Sequence, residues 1–317
     1  MFVRVSRQGN VIEVTRMTRR AAGATVRKLD AGHYLNLATG EVCEYQARPS
    51  ATGSRTDCQK SLRRTFKTIR GLVNTNCTEP GNIRWITLTY AENMTDTERL
   101  YSDFKNFWKR FKRRWGQAEY ISVIEPQGRG AWHVHLIAIY DHRAPFIDNA
   151  ELAELWGQGF VNVQRVESID NLGAYLSAYL GDVEMKPGEL YQVDPGCSIV
   201  EKIVDGQKKK FIKGGRLHFY PAGMQIYRCS RGIKKPTEQW VTQDEADAIA
   251  ERYCCTYAPQ PTEIVTQDGF RMVVEKKYFN AVRNKSDGIR CDWWDGTGQT
   301  RLVKLGNRQD SNGAASA

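Results

Sequence analysis

The chain has 317 residues, of which 41% are hydrophobic and 26% charged, the balance of an ordinary globular protein with a sizeable core. No apolar run approaches the length needed to cross a bilayer, and the N-terminus lacks the apolar stretch of a secretory signal, so we expect a cytoplasmic protein without a membrane partner. The formal net charge of +10 favours a partner that carries phosphates, most simply nucleic acid.

The first part of the chain, residues 1–52, is predicted to be a β-hairpin region. Two short strands flank Gly9-Asn10, and two more flank Thr39-Gly40, which are turn sequences. A basic helix is expected to follow over residues 57–73. This helix opens the main domain of the protein.

The middle of the chain carries the sharpest pattern, in the order strand, helix, strand, strand, helix, strand, helix. That order is typical of a ferredoxin-like fold with one added helix. We therefore predict an α+β core with a central antiparallel sheet, helices on one face and the other face open. The predicted strands are 84–90, 119–125, 131–140 and 159–166, and the predicted helices are 95–115, 148–156 and 170–180.

Later residues add further hairpins, so the fold has β-hairpin additions at both ends. One hairpin is predicted around Asp205-Gly206 and another around Asp268-Gly269. The predicted domains after residue 52 are a core domain at 53–260, a C-terminal β-hairpin extension at 261–304 and a disordered tail at 305–317.

A candidate metal site lies on the predicted strand 131–140. His133 and His135 are two residues apart, so strand alternation directs both side chains to one face. Glu125 ends the preceding strand, and a tight hairpin would place it beside His133. Two imidazoles and one carboxylate leave positions open for phosphate oxygen and water, and such a site polarises a phosphodiester. We expect Mn²⁺ or Mg²⁺, with His142 as a weaker alternative ligand and a chance His-x-His pair as the competing interpretation.

The eight cysteines offer no competing metal site, because none forms a CxxC pair. A reducing cytoplasm would keep cysteines as free thiols. We therefore expect all eight to be unpaired.

A candidate nucleophile lies on the predicted helix 170–180. Tyr175 and Tyr179 are four residues apart and so share a helix face. A tyrosine hydroxyl that attacks a phosphodiester forms a covalent link that stores the bond for later rejoining. Core packing is the alternative, because Leu172, Leu176 and Leu180 define an apolar stripe. Tyr179 lies near the middle of that stripe, so we favour Tyr175 as the main nucleophile.

Basic side chains that can hold phosphates occur on two predicted helices and one hairpin. In the helix 95–115 they alternate with aromatic residues that can stack on bases, although an aromatic core with a solvated charged face is the alternative. Two threonines of the first core strand are expected on the histidine face, where they can touch DNA or support the metal ligands. The predicted DNA-binding residues are Thr87, Thr89, Arg63, Arg64, Lys109, Arg110, Arg113, Lys208, Lys209 and Lys210.

In their order these motifs resemble the HUH-endonuclease rolling-circle replication initiators of plasmids, integrative elements and single-stranded DNA phages. WITLTY (85–90), GRGAWHVHLIA (128–138) and AYLSAY (174–179) are similar to the first, second and third motifs of the family. The resemblance covers residues 57–240 and makes the domain 53–260 an HUH endonuclease domain. Ala178 stands where many relatives have a lysine, which leaves the scissile phosphate to Lys186, to another base, or without such a partner.

The resemblance implies an activity and its partners. A tyrosine would attack one strand at an origin with the help of the metal, giving a 5′-phosphotyrosine link and a free 3′-OH, and the strand would later be rejoined. The substrate would be single-stranded or hairpin origin DNA. The chain lacks a GxxxxGK[ST] loop, so a host helicase and a host polymerase would act with it.

Two alternatives remain. A conjugative relaxase usually carries its tyrosine near the N-terminus and a third histidine ligand, whereas here the tyrosines follow the histidines. A non-catalytic nucleic-acid-binding module belongs to another class, because an open ferredoxin-like sheet is also an RNA-binding platform. The aromatic signature of such platforms is missing from the predicted strands.

Overall fold

The computed structural model forms two compact units, one of residues Met1–Tyr45 and Pro236–Ala317 and the other of Gln46–Lys235. Within them the structure describes residues 1–19, 26–30, 32–37, 39–45, 59–127, 130–167, 169, 172, 173, 176, 183–185, 198–204, 207–213, 216, 219–221, 224–265, 270–284, 286 and 288. No helix of this described part is long and apolar enough to span a membrane.

Strands and helices are numbered along the chain. The strands are β1 (Phe2–Gln8), β2 (Val11–Met17), β3 (Val26–Lys28), β4 (His33–Asn36), β5 (Val42–Glu44), β6 (Ile83–Thr89), β7 (Glu119–Pro126), β8 (Trp132–Ile139), β9 (Val161–Arg165), β10 (Val183–Glu184), β11 (Ser198–Val204), β12 (Gln207–Lys213), β13 (Tyr227–Cys229), β14 (Thr237–Val241), β15 (Cys254–Tyr257), β16 (Thr262–Val265) and β17 (Arg271–Asn280). The helices are α1 (Gln59–Asn76), α2 (Thr97–Trp115), α3 (Asn149–Trp156) and α4 (Gln243–Arg252).

The centre of the second unit is a five-stranded sheet in the order β13-β7-β8-β6-β9. Every neighbouring pair in it is antiparallel. The prediction of an α+β fold with a central antiparallel sheet is therefore confirmed. The first and third core strands, β6 and β8, lie side by side in the middle of the sheet, and the second and fourth lie outside them.

Helix α2 covers the sheet face that points away from the histidines. The helix begins where the Asp96 side chain accepts hydrogen bonds from two backbone N–H groups, and it ends at Gly116. Its rings Phe104 and Trp108 contact Tyr120 of β7 with centroids 5.1 and 4.9 Å apart. Tyr120 alternates with the residues paired to the histidine row, so the aromatic stripe of α2 is core.

The histidine face is not open along its whole length, which corrects the predicted picture. Val123 is paired with His135, and Ile121 is paired with Ile137, so these apolar residues share that face. All three apolar side chains are fully buried. The physical reason is that such a row exposes too much apolar surface to stay uncovered. The same hydrophobic cluster includes Ile69 of α1.

The first unit joins both ends of the chain in one sheet of order β14-β1-β2-β17-β15, with β16 paired to β17. The division differs from the predicted one, because residues 236–260 belong to this unit and not to the core domain. The reason is strand pairing: β14 pairs with β1, and β15 pairs with β17. The two predicted end regions, 1–52 and 261–304, thus meet in a single sheet.

Four predicted hairpins are present. Strands β1 and β2 join at Gly9, whose φ of 59° suits glycine, and β4 pairs with β5, β11 with β12 and β16 with β17. Of the predicted helix 170–180, the structure describes Leu172, Gly173 and Leu176, which are helical and buried. The predicted tail 305–317 lies outside the described residues.

The cysteine expectation fails at one position. Cys43, Cys77, Cys229 and Cys254 are free thiols, whereas Cys255 is disulfide-bonded. The expectation rested on the redox compartment, which gives no information on which thiols a fold brings together.

Candidate functional site

A carboxylate and an imidazole meet at the centre of the candidate site. Glu125 on β7 and His135 on β8 lie on the same sheet face, because Glu125 pairs with His133 and Val123 pairs with His135. Glu125 Oε2 lies 2.5 Å from His135 Nε2. Glu125 is only 7% exposed, so the carboxylate is largely removed from solvent.

The second histidine is close but differently engaged. The ring centroids of His133 and His135 are 6.3 Å apart, and His133 Nε2 contacts the side-chain amide of Gln127. Gln127 follows Glu125 by two residues, and its N–H donates to the Ala131 carbonyl at 2.7 Å, which closes the hairpin. The hairpin therefore places Glu125 opposite His133 in register, while its carboxylate reaches His135 instead. Within the described ranges, no three His, Cys, Asp or Glu side chains are grouped so that they could hold a metal ion.

The surroundings of His135 favour its neutral form. Thr87 Oγ1 lies 3.3 Å from His135 Nδ1, and the ring of Trp85 lies 5.8 Å from the imidazole. Burial lowers the pKa of His135 to about 4, and this effect outweighs the nearby carboxylate. At neutral pH the imidazole is uncharged, which is the form that offers a lone pair to a metal.

The donor chemistry of this pair fits a divalent cation. Glu125 Oε2 and His135 Nε2 point at a common position, and one oxygen with one imidazole nitrogen suits Mn²⁺ or Mg²⁺ as well as softer ions. Thr87 holds the opposite ring nitrogen, which is how supporting residues orient a metal-binding histidine. His133, two residues along the strand, is the nearest further donor.

Arg216 completes the cluster, and the sequence analysis did not predict it. Its guanidinium contacts the other carboxylate oxygen of Glu125 and donates to the Pro126 carbonyl at 3.2 Å. Burial lowers the pKa of Arg216 without removing its charge at neutral pH. Tyr220 anchors this segment, because its hydroxyl donates to the Ile124 carbonyl at 2.8 Å. No periodic pattern surrounds residue 216, so the sequence carried no signal for it.

The two predicted threonines share the histidine face, as their pairing with the histidines shows. Thr87 is paired with His135 and contacts it, as described above. Thr89 is paired with His133, but its hydroxyl donates to the Phe160 carbonyl at 2.5 Å. Thr87 is therefore part of the cluster and Thr89 supports the neighbouring strand.

The basic residues predicted to bind DNA lie elsewhere. Those of α2 are exposed on the side of the sheet opposite His135; they are Lys109, Arg110 and Arg113. Lys208 and Lys210 are exposed and Lys209 is half-buried on β12. Arg64 is exposed on α1, and for Arg63 only the backbone is described. Their role in DNA binding stays a prediction.

The remaining candidates are quickly placed. His142 is exposed past the opposite end of β8, where its Nδ1 lies 2.5 Å from Asp141, so it is remote from Glu125. Tyr175 and Tyr179 lie outside the described residues, as do Ala178 and Lys186. Their assignment as nucleophiles stays a prediction.

Comparison with known proteins bears on this part of the chain. Residues 83–184 match the model of a family of the type "Replication-associated protein ORF2". The matched range starts at β6, ends at β10, and includes Glu125, both histidines and both tyrosines. No curated protein and no solved structure matches the chain.

Proposed function

We propose that this chain initiates rolling-circle replication by nicking one DNA strand at an origin, through metal-assisted attack of a tyrosine. The observation that carries the proposal is the buried Glu125–His135 pair with Arg216 against it, on strands inside a segment similar to replication-associated proteins. The lateral order β9-β6-β8-β7 also supports a ferredoxin-like core of the HUH class.

The metal proposal assigns three residues. Glu125 and His135 would hold Mn²⁺ or Mg²⁺, with His133 as the third ligand. A divalent ion bound there would supply Lewis-acid polarisation of a phosphodiester. Thr87 keeps the His135 ring in place, and burial keeps that ring neutral.

The proposed reaction is a transesterification. The Tyr175 oxygen forms a bond to phosphorus as the bond from phosphorus to the 3′ oxygen breaks. The phenol loses its proton and the 3′ oxygen gains one, so the products are a 5′-phosphotyrosine link and a free 3′-OH. Attack of that 3′-OH, or of Tyr179 on a second site, would reverse or repeat the step.

The proposed substrate and partners follow from this chemistry. The enzyme would take single-stranded or hairpin origin DNA, whose backbone phosphates match the net charge of +10. A host polymerase would extend the free 3′-OH, and a host helicase would unwind the strand ahead of it.

The proposal is tested with end-labelled single-stranded and hairpin DNA on a denaturing protein gel. We expect the wild-type chain to form a covalent protein–DNA band with Mn²⁺ and no band with EDTA. Bands of equal strength under both conditions would contradict the metal assignment. DNA binding without any covalent band, over a range of hairpin substrates, would favour the non-catalytic binding module instead.

Arg216 is expected to neutralise the scissile phosphate, a role that Ala178 leaves open. Replacing Arg216 with glutamine should lower the single-turnover nicking rate about a hundredfold, the cost of removing one preorganised group that stabilises transition-state charge. Lysine at this position should restore part of the rate because it keeps the charge.

The matched control is Arg143→Gln, which removes one exposed charge beyond the opposite end of β8. This control should nick at the wild-type rate. If Arg216→Gln folds, binds DNA and nicks as fast as the wild type, the assignment of Arg216 is wrong.

A further inference from the structure

A cavity of about 570 Å³ lies at the β13 edge of the five-stranded sheet. Its wall includes the polar side chains Thr65 and Gln225, the two rings Tyr120 and Tyr227, and Arg228. The volume falls within the range of small-ligand pockets. Neither the metal cluster nor the tyrosine motif uses these residues.

Arg228 is the unusual member of this wall. Its guanidinium lies 3.4 Å from the centroid of the Tyr101 ring, a cation–π contact that fixes its position. Its Nε is buried and has no hydrogen-bond partner among the described residues. A buried N–H without an acceptor costs free energy, which an acceptor on a ligand would offset.

The chemistry of the wall matches a nucleobase. Tyrosine rings stack on unpaired bases, and this is the usual way in which proteins hold single-stranded nucleic acid. Arginine and glutamine recognise base edges, and arginine also pairs with phosphate. A purely apolar ligand would leave Arg228, Gln225 and Thr65 unsatisfied.

The cavity is also close to the proposed nicking site. Tyr227 pairs with Val123, which pairs with His135, so the three residues form one row across β13, β7 and β8. Neighbouring strands are separated by about 5 Å, so the backbones of Tyr227 and His135 are about 10 Å apart. A short stretch of single-stranded DNA spans that distance.

We propose that this cavity binds one unpaired nucleobase of the DNA strand to be nicked, stacked on Tyr227 and held at its acceptor groups by Arg228. The inference rests on the proposed function, because it assigns the strand that the metal cluster would cut. It adds a base-binding pocket that fixes which phosphate faces Glu125 and His135.

The test is an abasic scan. Affinities are measured by fluorescence anisotropy for a single-stranded oligonucleotide that forms the covalent band, and for versions of it that each lack one base. We expect one position, a few nucleotides from the cut, at which loss of the base weakens wild-type binding about tenfold, as for one stacked base. In Tyr227→Leu and in Arg228→Met this penalty should shrink to less than about twofold. Arg143→Met, a matched loss of charge, should keep the full penalty.

The outcomes separate the two proposals. A wild-type scan with no sensitive position, or variants that keep the full penalty, overturns the pocket. If the covalent band still forms in that case, the nickase proposal stands alone. A sensitive position that both variants abolish supports the pocket, even on an oligonucleotide chosen for binding because no covalent band forms. Thermal melting shows whether Tyr227→Leu folds, and Arg228→Met provides an independent variant if it does not.

Discussion

Phenylalanine at position 175 is expected to abolish the covalent protein–DNA band and to lower nicking at least about ten-thousandfold, because loss of a nucleophile removes the covalent pathway itself. The substitution deletes one hydroxyl and leaves the ring, so affinity for single-stranded DNA should stay within about twofold of the wild type. The measurement is the gel assay with Mn²⁺, together with anisotropy on the same oligonucleotide.

Tyr179→Phe is the matched variant one helical turn away. It should still form the first covalent band, since the apolar stripe assigns Tyr179 to packing more than to chemistry. The burial of Leu172 and Leu176, at 7% and 1% exposure, agrees with a core-facing stripe on this helix. A band lost only in Tyr179→Phe would reverse the assignment, and a band that both variants keep would remove tyrosine chemistry from the proposal.

Alanine at position 135 is the second large effect that we expect. It removes the imidazole that meets Glu125 and leaves that carboxylate paired only with Arg216. Nicking should fall about a thousandfold, the upper cost of removing one electrostatic group from a transition state. DNA binding should change little, because exposed basic residues supply most of that affinity.

The control for this substitution is His142→Ala. His142 is exposed and remote from Glu125, so its loss removes an imidazole without disturbing the cluster. It should nick normally, and raising the Mn²⁺ concentration should recover none of the His135→Ala loss. Parallel loss of nicking and of DNA binding in His135→Ala would instead show that His135 is a structural residue.

Local patterns predicted much of the second unit. The alternation in β6, β7 and β8 placed Thr87, Glu125 and both histidines on one face, and the structure agrees. The apolar spacing of α2 and its capping residue Asp96 likewise determined a helix close to the predicted one. These features depend on neighbours within one or two turns of chain, which sequence periodicity reports directly.

Long-range contacts were not predictable in the same way. Arg216 reaches Glu125 from an irregular segment 91 positions away, and nothing local indicates where such a segment will pack. The choice of His135 over His133 as the partner of Glu125 depends on side-chain rotamers, which strand register alone does not fix. The shared sheet of the two chain ends also depends on pairing between distant strands.

That shared sheet has a consequence for synthesis on the ribosome. The backbone N–H of Val273 donates to the Thr18 hydroxyl across 255 positions, and β2 finds its second neighbour only in β17. At ordinary translation speeds β1 and β2 wait on the order of ten to fifty seconds for that partner. The unit of residues 46–235 emerges in full during this interval. The first hairpin to leave the ribosome is thus among the last to be completed, and its open edge is where a nascent chain would need protection from other strands.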